Sequence, residues 1–565
     1  MRIYGVRRHG RARIALLGCA SLSALLGASS LRAQSTTDSD AARDARIEAI
    51  QTQLNQLQAQ LAALRSEGKG SPSVATDAAK VPATTPTAPG TAATAGLGQP
   101  LTSSASQTAN VDHPRIFGAG VPTTAAVSRI DSGHPLISTS DGRFTASLIG
   151  VMQFDVADYF QHSAGPLGTD LRRAGAASDT ARARNLSDGT TFRRARIGIG
   201  GRAFGDFEYS VLFDFGGSGE EDSGHVQELW LQYSGWKPAH IRVGAFAPFI
   251  GLEDTGSTNG MMFLERPASA DVARSLAGGD YREAGQIAFT GARWFASGAI
   301  TGRLVNTAGS STTQPYQSQL GFIGRAGILP VKSDNDLIHL AVHGSYVAHP
   351  ADTGGPDAAA GTAISPIQLR ERPELRVDGT RLVDTGAIDA SHAYTAGVEF
   401  AAQHRNFLLQ GEYERIGIER RASDLANPRF DGFYVEGSWM ITGERRRYND
   451  GNYAFDGPKI DGSFNPTHGN YGAWELALRY SDLDLNYREG AVGTALPAGS
   501  VRGGEQKIAT AGVNWYLNSI ARVMFDYQHV TIDRLSPSAT SYQTPVGARI
   551  GQTYSTGSMR FQLAF

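Results

Sequence analysis

The chain has 565 residues and a formal net charge of −2, so no strong overall field points to nucleic acid as a partner. A single cysteine, Cys19, excludes a disulfide framework and a thiolate metal centre. Tyr4 is the only aromatic residue before Phe117, so the aromatic-rich folded part begins well after the N-terminus. Several parts of different character are therefore expected.

Residues 1–33 have the pattern of a secretory signal peptide. Arginines precede an apolar run from Ile14 to Leu26, and cleavage is expected after Ala33. A lipoprotein signal at Cys19 is the alternative, but only about five apolar residues would precede that cysteine, which is short for such a signal. No apolar stretch of about 18 residues follows the leader, which argues against a helical membrane span.

The next segment, 34–65, predicts a short coiled coil in the periplasm. Its apolar residues alternate at spacings of three and four, as at the a and d positions of a heptad. Isoleucine at both positions of the first heptad favours three strands, so we expect a trimeric seam. A solitary amphipathic helix lying on another surface is the alternative. The apolar positions are Ile47, Ile50, Leu54, Leu57, Leu61 and Leu64.

Residues 66–140 are rich in alanine, threonine, serine, proline and glycine. Such a composition offers too little apolar surface to offset the entropy of ordering. We predict a flexible linker rather than a domain.

From residue 141 to 565, apolar and polar residues alternate with a period of two. In segment 207–215 every odd position is large and apolar, whereas Glu208, Ser210 and Asp214 point to the other face. A soluble β-sandwich with one wet face would show the same alternation. Similar segments are 338–346, 407–413, 474–480, 513–517 and 523–527.

Three features favour an all-β transmembrane antiparallel β-barrel over a sandwich. Aromatic residues concentrate near strand ends, the polar faces carry Glu, Asp, Arg and Gln, and glycine-rich polar stretches separate the strands. The last segment, 559–565, alternates up to the terminal Phe565, which would close the barrel on its lipid-facing side. At about 10 residues per strand plus loops, the barrel is expected to have about 16 strands and an aqueous channel.

The sequence predicts no catalytic, cofactor-binding or metal-binding site. His339 and His343 resemble a metal pair only on a helix, because four residues along a strand separate them by about 13 Å. Lumen histidines are the better interpretation. A glycine-rich segment at 198–203 is followed by a strand rather than by the helix that a dinucleotide site requires.

Two arginine clusters are the candidate functional residues. Alternation places Arg194 and Arg196 in the lumen and Arg193 nearer the rim, because an arginine facing lipid would cost about 2–4 kcal/mol at mid-bilayer. Guanidinium groups in a constriction attract anions and bind oxyanions in bidentate fashion. The alternative is that Glu371 and Glu374 neutralise the second cluster as ordinary ion pairs. That cluster comprises Arg370, Arg372, Arg376 and Arg381.

At these residues the sequence resembles the phosphate-selective porin O/P family over most of 143–565. The matching motifs are FRRAR at 192–196, GDFEY at 205–209, FDF at 213–215, LQYSGWKP at 231–238, VGAF at 243–246, LER at 264–266, RERPE at 370–374, GAWEL at 472–476 and GVNWYLN at 512–518.

The resemblance implies a trimeric barrel of 16 strands, a third loop folded into the pore at 251–274, and an arginine ladder that guides anions. Arg193, Arg194, Arg266, Arg370, Arg372 and Arg376 match arginine positions of the family pattern. Two departures weaken strict phosphate selectivity. Phosphate-specific members carry an arginine at the place of Val151, and they place a lysine near 257–260, where this chain has none.

The sequence therefore predicts an outer-membrane porin for passive diffusion of small anions, with phosphate or polyphosphate as candidate solutes. Expected partners are these solutes, outer-membrane lipid and two further copies of the chain, without nucleic acid. A porin for other nutrients with weak selectivity, an outer-membrane enzyme barrel and a structural tether to peptidoglycan are the alternatives.

Overall fold

The computed structural model describes residues 126–131, 134–161, 185–217, 224–279, 281–305, 318–353, 364–422, 424–538 and 546–565. The predicted signal peptide, the predicted coiled coil and most of the predicted linker lie outside these residues. In the described part, no helix has the length and apolar character needed to span a bilayer.

Sixteen strands form a closed antiparallel barrel, which confirms the predicted fold class and strand number. Neighbours in sequence are neighbours in the barrel, so each strand pairs with the next one along the chain. In chain order they are β1 Thr145–Phe160, β2 Gly189–Ala203, β3 Phe207–Asp214, β4 His225–Tyr233, β5 Ala239–Phe246, β6 Arg282–Thr290, β7 Trp294–Leu304, β8 Leu320–Lys332, β9 Asp336–His349, β10 Ile388–His404, β11 Phe407–Arg420, β12 Arg429–Met440, β13 Ala473–Tyr487, β14 Val501–Tyr516, β15 Ala521–Asp533 and β16 Gln552–Ala564.

The C-terminal residue closes the barrel. Strand β16 pairs with β1, and beyond the end of β16 the Phe565 backbone exchanges both hydrogen bonds with Gly150, at 2.8 and 2.9 Å. The Phe565 ring lies where a Cβ on Gly150 would point, 2.4 Å from that position. A glycine is therefore required on β1 so that the terminal aromatic ring can cover the seam.

The two faces of the strands separate apolar from polar side chains, as the alternation predicts. On β13, Leu476, Leu478 and Tyr480 are exposed on the outer face, whereas Glu475 and Arg479 are buried on the inner face. An apolar outer face suits acyl chains, and a charged inner face suits a hydrated lumen. The inner face also buries His339, His343, Gln410, Glu412, Glu414, Asn514, Asp526 and Gln528.

The ends of the barrel differ in the length of their connections. At one end, turns of two to five residues join β2 to β3, β4 to β5, β6 to β7, β8 to β9, β10 to β11 and β14 to β15. Short turns face the periplasm in outer-membrane barrels, so the longer loops face the cell exterior. The connection 441–472 between β12 and β13 is a long exception at the periplasmic end.

A short hairpin at Ala126–Asp131 and His134–Thr139 lies inside the range 66–140 predicted as linker. Its second strand pairs with the first residues of β1, with Leu136 opposite Ser147. The pairing uses backbone hydrogen bonds on the open edge of β1 below Phe565, and composition does not reveal such bonds. The described strands therefore include residues before position 141, where the barrel is predicted to start.

Three segments of the described chain lie within the barrel and fill much of its lumen. The constriction loop, 247–281, joins β5 to β6 and contains helices α1, Leu252–Thr255, and α2, Ala268–Ala277. The described part of the β9–β10 connection, 364–387, is named the arginine loop. The periplasmic hairpin, 446–458, belongs to the long β12–β13 connection and consists of Arg446–Asn449 paired with Ala454–Pro458.

We predict that Gly150→Val impairs barrel closure. The added side chain would collide with the Phe565 ring, and overpacking of this kind costs about 1–3 kcal/mol. A smaller fraction of the purified protein should then keep the compact, heat-sensitive mobility of a folded barrel on unheated gels.

Gly324→Val is the matched control for this substitution. Gly324 lies on β8, and no atom lies within 4 Å of the position that its Cβ would take. An equal loss of folded protein in both variants would contradict the packing explanation.

Candidate functional site

The constriction loop is fixed to the barrel by hydrogen bonds to its backbone. Residues 259–265 follow the inner faces of β13 to β16, and polar side chains of these strands and of the periplasmic hairpin donate to six of the seven carbonyl oxygens. The donors and acceptors are Gln562 to Asn259 at 3.0 Å, Arg446 to Gly260 at 2.6 Å, Arg522 to Met261 at 2.8 Å, Asn514 to Met262 at 2.8 Å, Arg560 to Leu264 at 2.5 Å and Arg479 to Glu265 at 3.0 Å.

Glu265 joins three elements through its side chain. Its carboxylate receives Arg193 Nε at 2.6 Å and Arg560 Nη2 at 3.0 Å, and Arg376 Nε lies 3.4 Å away. Burial by itself would raise the pKa of Glu265, but the surrounding arginines hold that pKa well below its usual value. The carboxylate therefore stays ionised and occupies part of the arginine cluster.

A β-bulge in β2 directs two consecutive arginines into the lumen. Opposite β1, Gln153 pairs with Arg194 but Phe154 pairs with Phe192, so Arg193 is the extra residue. Arg193 was expected near the rim, and it lies instead against Glu265. A strict alternation along β2 could not show this, because the bulge changes which face Arg193 occupies.

Two other predicted arginines are held by single carboxylates. Arg196 Nε donates to Asp214 at 2.7 Å across the β2–β3 pair. Arg266 lies 3.6 Å from Asp254 and donates to backbone carbonyls of α1, so it stabilises the constriction loop from within. Neither guanidinium is without a counter-ion.

The arginines of the arginine loop have different surroundings. Arg376 Nη2 lies 2.7 Å from Asp271 of α2, and Arg372 Nε donates to the Gly379 carbonyl at 3.1 Å. Arg370 is exposed and Arg381 is half-buried. The four arginines thus do not form one continuous ladder of open guanidinium groups.

The alternative prediction was that Glu371 and Glu374 neutralise the arginines of this loop. It agrees with the contacts of Glu371 and not with those of Glu374. Glu371 lies 3.8 Å from Arg376, as a local ion pair would require. Glu374 instead binds Arg479 of β13 at 2.6 Å and accepts the Ser481 hydroxyl. Arg376 also lies 2.7 Å from Asp271 and 3.4 Å from Glu265, two partners that sequence spacing alone could not indicate.

A row of neutral amides and guanidinium groups crosses the seam at which β16 pairs with β1. Arg194 Nη1 donates to Gln153 at 2.6 Å, Gln153 donates to Gln562 at 2.8 Å, and Arg522 Nη2 donates to the same Gln562 oxygen at 3.1 Å. Arg522 otherwise contacts the Met261 carbonyl and the Tyr516 hydroxyl. Within the described residues, neither arginine of this row has a carboxylate within ion-pair distance.

A cavity of about 380 Å³ opens beside this row at the periplasmic end of the constriction loop. Arg522, Gln562 and Asn259 line it, together with residues of the periplasmic hairpin. Arg522 is not among the arginines predicted from the sequence. Arg522 directly precedes Val523, Phe525 and Tyr527, which alternate as outward-facing apolar residues. The same alternation places Arg522 on the inner face, so the sequence does carry a signal for it.

Opposite the seam, β9 to β12 carry an acidic cluster. Glu399 binds Arg325 through both oxygens, at 2.9 and 2.7 Å, and His339 and His343 also contact it. His343 reaches across β10 to Glu414 at 2.6 Å, because Gly397 leaves its path open. Both histidines thus lie in the lumen, as predicted.

His343, Glu399 and Glu412 also offer ligand atoms within 4.8 Å of one another, close enough for a metal ion. However, Arg325 already neutralises Glu399. Glu412 accepts the N–H groups of Leu252 and Glu253 at the start of α1, so its two oxygens fix the constriction loop. These contacts account for the cluster without a metal.

The fold and the charged, loop-filled lumen define an outer-membrane porin. The family model for "Phosphate-selective porin O and P" matches residues 173–565. Porin O of Pseudomonas aeruginosa is 26% identical over 367 residues, covering 62% of this chain and 79% of that protein.

Solved structures of similar architecture include OmpT of Vibrio cholerae, with a TM-score of 0.40 and 9% identity over 75% of this chain and 98% of that one. An anion-selective porin from Comamonas acidovorans has a TM-score of 0.39 and 11% identity, over 75% and 100% of the two chains. On the match to the family model, the chain belongs to the phosphate-selective porin O and P family and is an anion porin of the outer membrane.

We predict that Arg560→Met destabilises the barrel and loosens the constriction loop. The substitution removes both bonds to Asp155, at 2.6 and 2.7 Å, and leaves that buried carboxylate without its partner. Losing one partner of a buried pair costs about 3–5 kcal/mol. Unfolding in detergent should shift accordingly, and open-channel current should become noisier.

Arg415→Met supplies the comparison. Arg415 and Asp431 lie 3.8 Å apart on the exposed surface, with side chains 48% and 44% exposed, and such pairs contribute about 0–1 kcal/mol. Equal stability losses in the two variants would show that the buried network does not hold the loop.

Proposed function

We propose that this protein lets small anions diffuse passively through a lumen in which Arg522, at the wall of a cavity, and the buried Arg194 of the same row form the principal anion contact. The row that joins them through Gln153 and Gln562 carries this proposal, because its positive charge has no carboxylate in contact. Amides can donate to an anion as well as separate the two guanidinium groups. Transport rather than catalysis is the activity that this arrangement serves.

The remaining predicted arginines set the electrostatic field around this contact. Arg193 and Arg196 flank Arg194 on β2, and Arg376 and Arg266 lie in the loops above. Their ion pairs reduce the attraction without removing it, so an anion is concentrated but not trapped. A channel needs binding that is strong enough for entry and weak enough for release.

Among anions, we propose weak rather than strict selectivity for phosphate. Val151 faces the lumen opposite Arg196, where phosphate-specific members of the family carry an arginine. Desolvating a phosphate requires several donors at once, and this position supplies none. Chloride and small carboxylates should therefore pass as readily as phosphate does.

We predict that Arg194→Gln lowers anion selectivity. In planar bilayers with asymmetric KCl, the reversal potential of the native channel should indicate preference for chloride. The variant should move towards zero, with a several-fold smaller ratio of chloride to potassium permeability, because one fixed charge leaves the row.

Arg303→Gln removes the same charge in the extracellular mouth, where Arg303 pairs with Glu283 at 3.3 Å and is 38% exposed. Its reversal potential should stay near the native value. A native channel that prefers potassium would refute the proposed function. An unchanged reversal potential in Arg194→Gln would remove Arg194 from the anion contact.

We also propose that the protein is a homotrimer and that the heptad segment 47–64 supports its assembly. Deletion of 47–64 should lower the share of trimer seen by cross-linking or native mass measurement, while the barrel keeps its conductance per channel. Loss of all conductance with a folded barrel would instead support the tether interpretation.

A further inference from the structure

Among the described residues, neither helix α2 nor residues 259–265 pack against the inner wall formed by β3, β4 and β5, which the constriction loop approaches through Phe249. Helix α2 packs against β8 to β13, and residues 259–265 follow β13 to β16. On this wall, Glu228, Trp230 and Arg242 face inward and are each half-buried. Their side chains therefore face the lumen from this wall.

Arg242 is held in place by an amide and aromatic rings. Its Nε donates to Gln232 at 2.9 Å, and its guanidinium carbon lies 4.2 Å from the ring centre of Trp230. The rings of Phe246 and Phe249 lie farther away, at 5.4 and 6.0 Å. Stacking on an indole orients a guanidinium without using its N–H donors.

The terminal nitrogens of Arg242 donate to no residue in the part of the chain that the structure describes. This distinguishes Arg242 from Arg325, Arg479 and Arg560, each of which binds a carboxylate and a loop carbonyl. A planar pair of donors at the lumen surface matches the two oxygens of a carboxylate.

Acidic groups near Arg242 limit which class of anion can bind there. Glu228 accepts the Trp230 indole N–H at 2.9 Å, and Glu208 accepts from Gln232 at 3.0 Å. Around one guanidinium there are thus two carboxylates, neither within ion-pair distance of Arg242. Such surroundings disfavour a phosphate dianion, because both carboxylates repel it. A monovalent anion is repelled less, and an apolar ring on it can pack against Trp230 and Phe249.

We propose that Arg242, Trp230 and Phe249 form a binding step for small aromatic monocarboxylates on their way through the pore. Arg242 binds the carboxylate through its terminal nitrogens, and the aromatic side chains contact the ring of the solute. This site rests on the proposed function as an anion channel, but it lies on a different wall from the Arg194–Arg522 row.

Inhibition of chloride current tests the site, with benzoate, acetate and inorganic phosphate as probes on the full-length protein in planar bilayers. Benzoate should inhibit at a concentration about tenfold lower than acetate, because both have the carboxylate and only benzoate has the ring. Arg242→Gln should abolish this difference. Arg202→Gln removes a charge that is 50% exposed at the periplasmic end of β2 and should retain it.

Tryptophan fluorescence provides a measurement that does not depend on conduction. Benzoate should change the emission of the purified protein in micelles, and Trp230→Phe or Arg242→Gln should remove that change, whereas acetate should have no effect on the native protein. If the channel proved cation-selective, the proposed function would fail, but this titration would still decide whether the site binds benzoate.

Two results would overturn the inference. Equal inhibition by benzoate and acetate in the native channel would show that the rings play no part. Benzoate inhibition and fluorescence changes that persist in Arg242→Gln would show that the carboxylate binds elsewhere. By contrast, retention of the benzoate effects in Arg194→Gln together with their loss in Arg242→Gln would support the inference, because benzoate would then bind at Arg242 independently of the Arg194–Arg522 row.

Discussion

A guanidinium buried in the lumen is costly unless most of its N–H donors are satisfied, and this constraint organises the interior of the barrel. A guanidinium has five donors and no acceptor, and leaving such a group without partners in a low-dielectric wall costs several kcal/mol. Arg560 meets this demand with Asp155, Glu265 and the Leu264 carbonyl. The backbone of the constriction loop is therefore part of the solvation of the arginines, and the arginines in turn fix the course of the loop.

The same constraint explains why few of the lumen arginines are open to a solute. Arg479 is used by Glu374 and the Glu265 carbonyl, and Arg446 by Glu475 and the Gly260 carbonyl. An arginine in a pore is thus weak support for an anion contact by itself. What matters is whether a carboxylate already occupies its donors.

The period-two alternation predicted the barrel and its two faces because water and lipid impose opposite demands on successive residues of a strand. The assignments of Glu412, Asp526 and Leu478 follow from that pattern alone. Pairings between distant strands did not follow. Arg560 and Asp155 are 405 positions apart, and only closure of β16 onto β1 brings them together. The β-bulge at Arg193 likewise depends on a register that no single strand encodes.

The periplasmic hairpin shows a second limit of sequence reasoning. Its residues have no strong alternation, and its position depends on backbone contacts made by other parts of the chain. Arg325 donates to the Asn452 and Tyr453 carbonyls, and Asn452 donates to the Thr255 carbonyl of the constriction loop. The pattern of side chains along a sequence does not indicate which backbone carbonyl groups will accept hydrogen bonds from a distant arginine.

The distribution of charge across the lumen gives the anion preference its physical basis. On the β9–β12 side, Arg325 binds Glu399, N–H groups at the start of α1 bind Glu412 and His343 binds Glu414, so each of these carboxylates has donors in contact. On the seam side, glutamines stand between Arg194 and Arg522 where carboxylates would have cancelled the charge. Because paired charges exert a weaker field at a distance than an unpaired row does, the proposed function has a mobile anion drawn to the seam although the whole chain is nearly neutral.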